Sequence, residues 1–243
     1  MTWVVVGASA GLGRALAERL ARERRSLVLV ARDERDLAPL ATDLAATHGA
    51  RVRTLAQDAA EPEVLAGRLY ELLAEEEVCG LLFPVGATDA GDEGGLDPRA
   101  NERLVQVNFL SVAAVIGRFL PKLMAQRHGV LVGFGSIAAV RGRSRNVVYS
   151  AAKRALESYF ESLRHLAEGH GLTVAFYSLG YLDTSQAFGQ RLLLPKADPA
   201  VVADEVCRAL LRRRGKHYLP WFWALAAPVL SVLPWAFFKR MRV

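Results

Sequence analysis

The feature that most constrains this chain is an alternation. Short runs that are apolar at every position are each followed by a longer stretch that is apolar along one helical stripe. Trp3-Val4-Val5-Val6 ends at Gly7, and Leu12, Leu16 and Leu20 follow at helical spacing. Residues 27–30 form a second apolar run, after which Asp33 reads as the N-cap of a second helix. Residues 51–55, 78–83, 130–135 and 173–178 read as further strands, and Tyr218-Leu219 as a short last one. Helices are expected from Pro62 to Glu76, from about Pro98 to Gln126, from Val148 to Glu168, and from Pro199 to about Arg213. A strand that is apolar on both sides must be covered on both sides, so the pattern predicts a parallel sheet between two helical layers.

At 243 residues, with no repeat, linker or low-complexity tract, the chain reads as one doubly wound, Rossmann-like α/β domain over residues 1–215. Residues 216–243 follow as an apolar C-terminal appendage. The net charge of +6 first suggests an anionic partner. Seven of the 31 Lys and Arg lie from Arg212 onward, where no Asp or Glu occurs, which leaves 24 bases against 25 acids in the body. A nucleic-acid-binding body is therefore not expected. Cys79 and Cys207 have neither disulfide-framework nor metal-ligand spacing, and the five His have no ligand spacing, so no metal is expected. Met1 runs into the first strand without a basic leader, so the expected compartment is the cytoplasm.

Gly7, Ser9, Gly11, Leu12, Gly13 and Arg14 join the first strand to the first helix. Glycines there let backbone N–H groups and a helix N-terminus approach a pyrophosphate. The spacing is G-x-x-x-G-x-G, and the strand–turn–helix context points to a dinucleotide. After the second strand, Ala31 stands where a ribose-binding acid would favour NAD(H). Arg32, with Arg14 as a second partner, could pair with a 2′-phosphate, which favours NADP(H) over NAD(H).

Tyr149 and Lys153 stand four residues apart on an expected helix, so they share a face, and an ammonium there would favour the phenolate. Ser136 lies just past the fifth strand, at the sheet edge where such folds bind ligands. With Asp58 and Asn108, these motifs make residues 2–215 resemble the short-chain dehydrogenase/reductase family. The resemblance implies an NADP-dependent oxidoreductase acting on CH–OH groups, with Asn108, Ser136, Tyr149 and Lys153 as its catalytic set. Tyr149 would be the acid/base, Lys153 would tune it and hold the nicotinamide ribose, Ser136 would orient the carbonyl, and Asn108 would hold a relay water. It also implies cofactor contacts at Asp58, Gly86, Gly180 and Thr184, and a homodimer or homotetramer through the two long helices. The sequence departs from the family at Val6, at Pro84-Val85-Gly86-Ala87 and at Leu179-Gly180, which bears on cofactor geometry and removes no catalytic group.

Residues 217–238 contain no charged Lys, Arg, Asp or Glu and hold Trp221, Trp223 and Trp235. Basic clusters flank them in sequence, and Pro220, Pro228 and Pro234 are expected to break them into short pieces. Two readings follow. In one, a proline-bent hairpin makes peripheral contact with the inner face of the cytoplasmic membrane. In the other, the tail packs on the domain or on a second subunit. Such tails resemble those of reductases of lipid-borne ketones, including polyprenyl-phosphoryl keto-sugar and 3-ketosphinganine reductases. The expected substrate is a hydrophobic or lipid-linked carbonyl compound, with residues 180–197, including Phe188 and Leu192-Leu193-Leu194, as its lid. A small soluble ketone, or a non-catalytic NADP(H)-binding scaffold, are the alternatives.

Overall fold

The computed structural model describes residues 1–93, 97–142, 144–183 and 195–240. Seven strands form one parallel sheet in the order β3-β2-β1-β4-β5-β6-β7. They are β1 (Thr2–Val6), β2 (Ser26–Ala31), β3 (Val52–Ala56), β4 (Val78–Phe83), β5 (Gly129–Ser136), β6 (Leu172–Leu179) and β7 (Gly215–Leu219). The order reverses between β1 and β4, so a crevice opens at their carboxyl ends, where doubly wound folds bind ligands.

The period of two along β1 divides the core. Trp3 and Val5 face one helical layer, and Val4 and Val6 face the other. The first layer is α1 (Gly11–Arg22), α2 (Glu34–His48) and α7 (Pro199–Ala209), which bury Leu16, Leu20, Leu40, Val202 and Val206. The second is α3 (Pro62–Leu72), α4 (Pro98–Val105), α5 (Ser111–Gln126) and α6 (Val147–Leu166), whose buried residues include Leu65, Leu69, Phe119 and Phe160. The run Pro98–Gln126 is long and apolar enough to cross a membrane by length and composition. Here Val112, Val115, Ile116, Phe119 and Leu123 bury one face of α5 in the second core layer.

Three expected boundaries are corrected. α3 ends at Leu72 rather than Glu76, because Glu76 accepts hydrogen bonds from Thr2 and Arg53. α7 ends at Ala209 rather than near Arg213. β7 begins at Gly215, whose positive φ of 84° turns the chain into the sheet edge three residues before Tyr218. The sheet therefore takes in residues to Leu219, and the apolar appendage leaves the body only after it. The appendage folds as α8 (Trp223–Val232) and a four-residue helix α9 (Trp235–Phe238). Pro228 lies inside α8, contrary to the expected break there, and Pro234 caps α9.

Candidate functional site

The glycine loop closes on itself. Gly7 has φ 94°, and a Cβ on it would meet the Val85 backbone at 2.7 Å. A Cβ on Gly13 would lie 1.8 Å from the Gly7 carbonyl, so a side chain there would force the turn open. The N–H groups of Gly7 and Ala8 donate to Val30 O at 2.7 and 3.0 Å, which ties the loop to β2. At α1, the N-cap residue Ala10 makes no side-chain cap and the first turn carries no acidic residue. A helix end with N–H groups left uncapped by side chains and no acidic residue in its first turn suits an anion, and this fits the pyrophosphate of a dinucleotide.

Arg14 and Arg32 are both exposed beside this loop. The neighbouring acid Asp33 is engaged elsewhere. It caps α2 through Arg35 N–H at 2.9 Å and pairs with the Arg35 side chain, whose hydrogen bonds hold its carboxyl down at about 2. Asp58 accepts from Ala60 N–H at 2.9 Å and from Arg103 at 3.1 Å. Burial pushes its carboxyl up, and these two bonds outweigh that and leave it below the ordinary value. Arg32 adds to the positive field at Asp58, which places the two residues in one neighbourhood.

Across the crevice, Lys153 is buried on α6, and its ammonium donates to Val85 O at 3.1 Å and to Phe134 O at 3.2 Å. It thus bridges the carboxyl ends of β4 and β5. Burial lowers its pKa from the ordinary 10.5 to about 8. A Cβ on Gly86 would lie 3.2 Å from Asn108 Oδ1 and 3.4 Å from Lys153 Nζ, so Gly86, Asn108 and Lys153 form one cluster. Asn108 sits on the single π turn Gln106–Leu110 between α4 and α5, a local irregularity that is frequent at functional sites. Its amide donates to Ala87 O at 2.8 Å and Leu104 O at 2.9 Å, and its Oδ1 accepts from Ala87 N–H at 3.2 Å. In this structure Asn108 clamps the loop after β4. Ser136 ends β5 two residues beyond Phe134, and its Oγ accepts from Ala138 N–H at 3.1 Å. Tyr149 lies one helical turn before Lys153, in the first turn of α6.

Asp92 carries no motif, yet the structure gives it a clear place. The N-cap of α6 is Asn146, in the left-handed region at φ 55° with no side-chain cap. Instead the Asp92 carboxylate, fully buried, accepts from Val148 N–H and Tyr149 N–H at 2.9 Å each. Val147 N–H adds a bond to Asp92 O at 3.3 Å. Nothing in the spacing could have signalled this, because the cap lies 56 residues upstream of the residue it holds.

On the far side of the site the appendage packs against Gly180 and Tyr181. Gly180 N–H donates to Leu219 O at 2.8 Å, and a Cβ on Gly180 would lie 2.2 Å from the Trp223 indole nitrogen. Tyr181 meets Trp223 edge to face, with ring centroids 6.1 Å apart. Asp183 N–H donates to Ala197 O and Ala197 N–H to Tyr181 O, which pins the two ends of the expected lid together. Thr184, Phe188 and residues 192–194 lie outside the described residues. A separate cavity of about 230 Å³, lined in part by Glu157, Phe160, Arg164 and Lys216, includes none of the candidate catalytic residues. Among the described residues no cluster of His, Cys, Asp and Glu could hold a metal.

A doubly wound parallel sheet with a glycine turn at its first helix and a buried lysine at the switch-point crevice defines a dinucleotide-binding α/β protein. The family model for short chain dehydrogenases matches residues 1–191, and the chain belongs to that family. It is 35% identical over 240 residues to the hydroxysteroid 11-beta-dehydrogenase 1-like protein of Macaca fascicularis, an alignment covering 95% of this chain and 82% of that one. It is 29% identical over 188 residues to the bovine dehydrogenase/reductase SDR family member 7B, covering 75% of this chain and 58% of that protein's length. Among solved structures, a short-chain dehydrogenase from Sphingobium yanoikuyae in complex with NADPH superposes with a TM-score of 0.85. The two are 24% identical over 99% of this chain and 96% of that one.

Proposed function

We propose that this oxidoreductase uses NADP(H) to reduce a ketone on a hydrophobic substrate, or to oxidise the corresponding alcohol, with Tyr149 as the acid/base. The observation that carries the reading is the cluster of Gly86, Asn108 and the buried Lys153, one helical turn from Tyr149. Held by the glycine loop, Arg14 and Arg32, NADPH would supply a hydride for the carbonyl carbon. Tyr149 donates its phenolic proton to the carbonyl oxygen in the same turnover, and Ser136 hydrogen-bonds that oxygen and orients it. Lys153 holds positive charge beside the phenol and favours the phenolate left behind.

The phosphate loop and the first turn of α1 are suited to the pyrophosphate, and Arg32 and Arg14 to a 2′-phosphate. The preference for NADP(H) is also supported by Asp33. Its carboxylate is held by Arg35 and by the α2 N-terminus, and so is not presented to a ribose. The NADPH complex of the Sphingobium neighbour agrees with this reading. A hydrophobic substrate is supported by the apolar appendage that flanks Gly180 and by a relative named for a hydroxysteroid.

The test is Tyr149→Phe, assayed by NADPH consumption on a panel of steroid ketones and long-chain ketones. Turnover is expected to fall by about 10²–10⁴-fold with NADPH affinity retained, the range lost when a positioned acid/base is removed. Full turnover by Tyr149→Phe would falsify the mechanism.

A further inference from the structure

The appendage is apolar on two opposite sides. One side of it is docked on the body. Trp223 and Ala227, one turn apart on α8, are buried, as is Phe238 on α9. Arg141, in the loop after β5, holds the appendage through the carbonyls of Leu230 and Leu233. Its guanidinium also lies 4.2 Å over the Phe238 ring. The appendage is thus seated over the loops that follow β5 and β6, at the carboxyl edge of the sheet, next to Gly180 and Tyr181.

The outer side is equally apolar and is uncovered among the described residues. Leu225, Val229 and Val232 are 68%, 61% and 78% exposed, and they fall along one stripe of α8. Trp221, Trp235 and Phe237 extend the stripe at either end and are exposed to a similar degree. A helix that is hydrophobic all round is ordinarily buried on all sides. At ten residues, α8 is about 15 Å long and cannot span a bilayer. It has the length and composition of a helix that lies in an interface.

Charge selects the occupant. Between Leu219 and Phe238 there is no charged residue, and Lys239 and Arg240, both exposed, follow at once. In a symmetric pair of copies the same patch faces itself, and it offers these cations no partner of its own, since no Asp or Glu follows Glu205 in the sequence. An anionic lipid surface instead pairs with them, and tryptophans at the ends of an apolar stripe suit the headgroup boundary. The other basic cluster is not part of this face. Arg212, Arg213 and Arg214 precede β7 while the appendage follows it, so the length of the strand separates them, and Arg213 pairs with Glu205.

We infer that the outer face of α8 and α9 docks on an anionic lipid bilayer, without crossing it, and so brings the carboxyl edge of the sheet to the membrane surface. The inference does not depend on the proposed reaction, because partition onto vesicles is measured without turnover.

The experiment is co-sedimentation of the full chain with phosphatidylcholine vesicles, with and without phosphatidylglycerol. The same measurement is made on the variant Leu225→Ser/Val229→Ser/Val232→Ser and on Lys239→Glu/Arg240→Glu. These side chains are exposed, so both variants are expected to keep the parent melting temperature. The parent is expected to bind vesicles containing phosphatidylglycerol and to weaken with salt. The triple variant is expected to lose about tenfold or more in partition, and the charge-reversed variant to lose the preference for anionic lipid. Absence of vesicle binding by the parent, or undiminished binding by the triple variant, would overturn the inference. Sedimentation velocity without lipid gives the remaining outcome: an oligomer that the triple variant dissociates would assign this face to a second copy of the chain and overturn the lipid reading.

Discussion

At the scale of single residues, Lys153 carries the largest electrostatic cost in the described part of the site. Its ammonium is buried against two carbonyls, and its pKa falls from 10.5 to about 8. Between those values the unfolded chain holds the proton and the folded chain does not. This group therefore makes stability rise with pH through that window, and its full cost is present below it. The cost is about 3 kcal/mol. Lys153→Met keeps the stem and removes the charge, at the loss of two hydrogen bonds. The stability advantage of Met over Lys in the cofactor-free protein is expected to fall by about 2.5 kcal/mol from about pH 7 to about pH 10. Denaturant melts of both proteins across that range check it, and a difference that does not change with pH contradicts it. Turnover by Lys153→Met is expected to be lost at every pH. The pair Tyr149 and Lys153 was legible because both stand on one helix at a fixed spacing. The clamp that Asn108 makes on Ala87 was not, since it joins a π turn to a loop 21 residues away.

At the scale of elements, the sequence pattern identified the strands and helices well and their ends less well. Apolar periodicity records which face is buried, and an end is decided by partners that are distant in sequence. α3 stops where Glu76 finds Thr2 and Arg53, and β7 starts early because Gly215 turns the chain there. α6 shows the same effect at the site itself. Its first N–H groups are capped by Asp92 from the loop after β4, so the loop and the helix bearing Tyr149 are fastened together. Asp92→Ala is expected to destabilise the protein by about 1–2 kcal/mol, the usual cost of losing an N-cap. Under the proposed mechanism it is also expected to lower kcat more than it raises KM, because it loosens the first turn of α6, which carries Tyr149. Asp92→Asn, which keeps one acceptor oxygen, is expected to recover part of both. Equal activity in all three proteins, alongside the stability loss, would restrict Asp92 to a structural role.

At the scale of the whole molecule, the positive excess gathers late in the chain, as was visible in the sequence, but Arg212, Arg213, Arg214 and Lys216 belong to the body and only three of the seven late cations follow the apolar appendage. How that appendage is seated was not visible, because α8 is apolar all round and its period does not reveal an inner face. The inner face is set by Trp223, which fills the space left open by the absence of a side chain at Gly180. Trp223 is therefore the joint between appendage and site, packing on Gly180 and edge to face with Tyr181. Among the described residues its buried indole nitrogen has no hydrogen-bond partner, and the contacts that seat it are those of packing. Trp223→Ala removes that packing and is expected to cost about 3–5 kcal/mol, reduced if the appendage can settle into the gap. If the appendage docks through this joint, the segment from Gly180 to Asp183 loses its support, and KM for a hydrophobic ketone is expected to rise more than kcat falls. Arg141→Ala releases the same appendage at Leu230 and Leu233, far from Gly180 in sequence. A matching KM effect in both variants, measured with thermal melts, would locate the coupling in the seating of the appendage. An effect confined to Trp223→Ala would locate it in the contact with Gly180 alone.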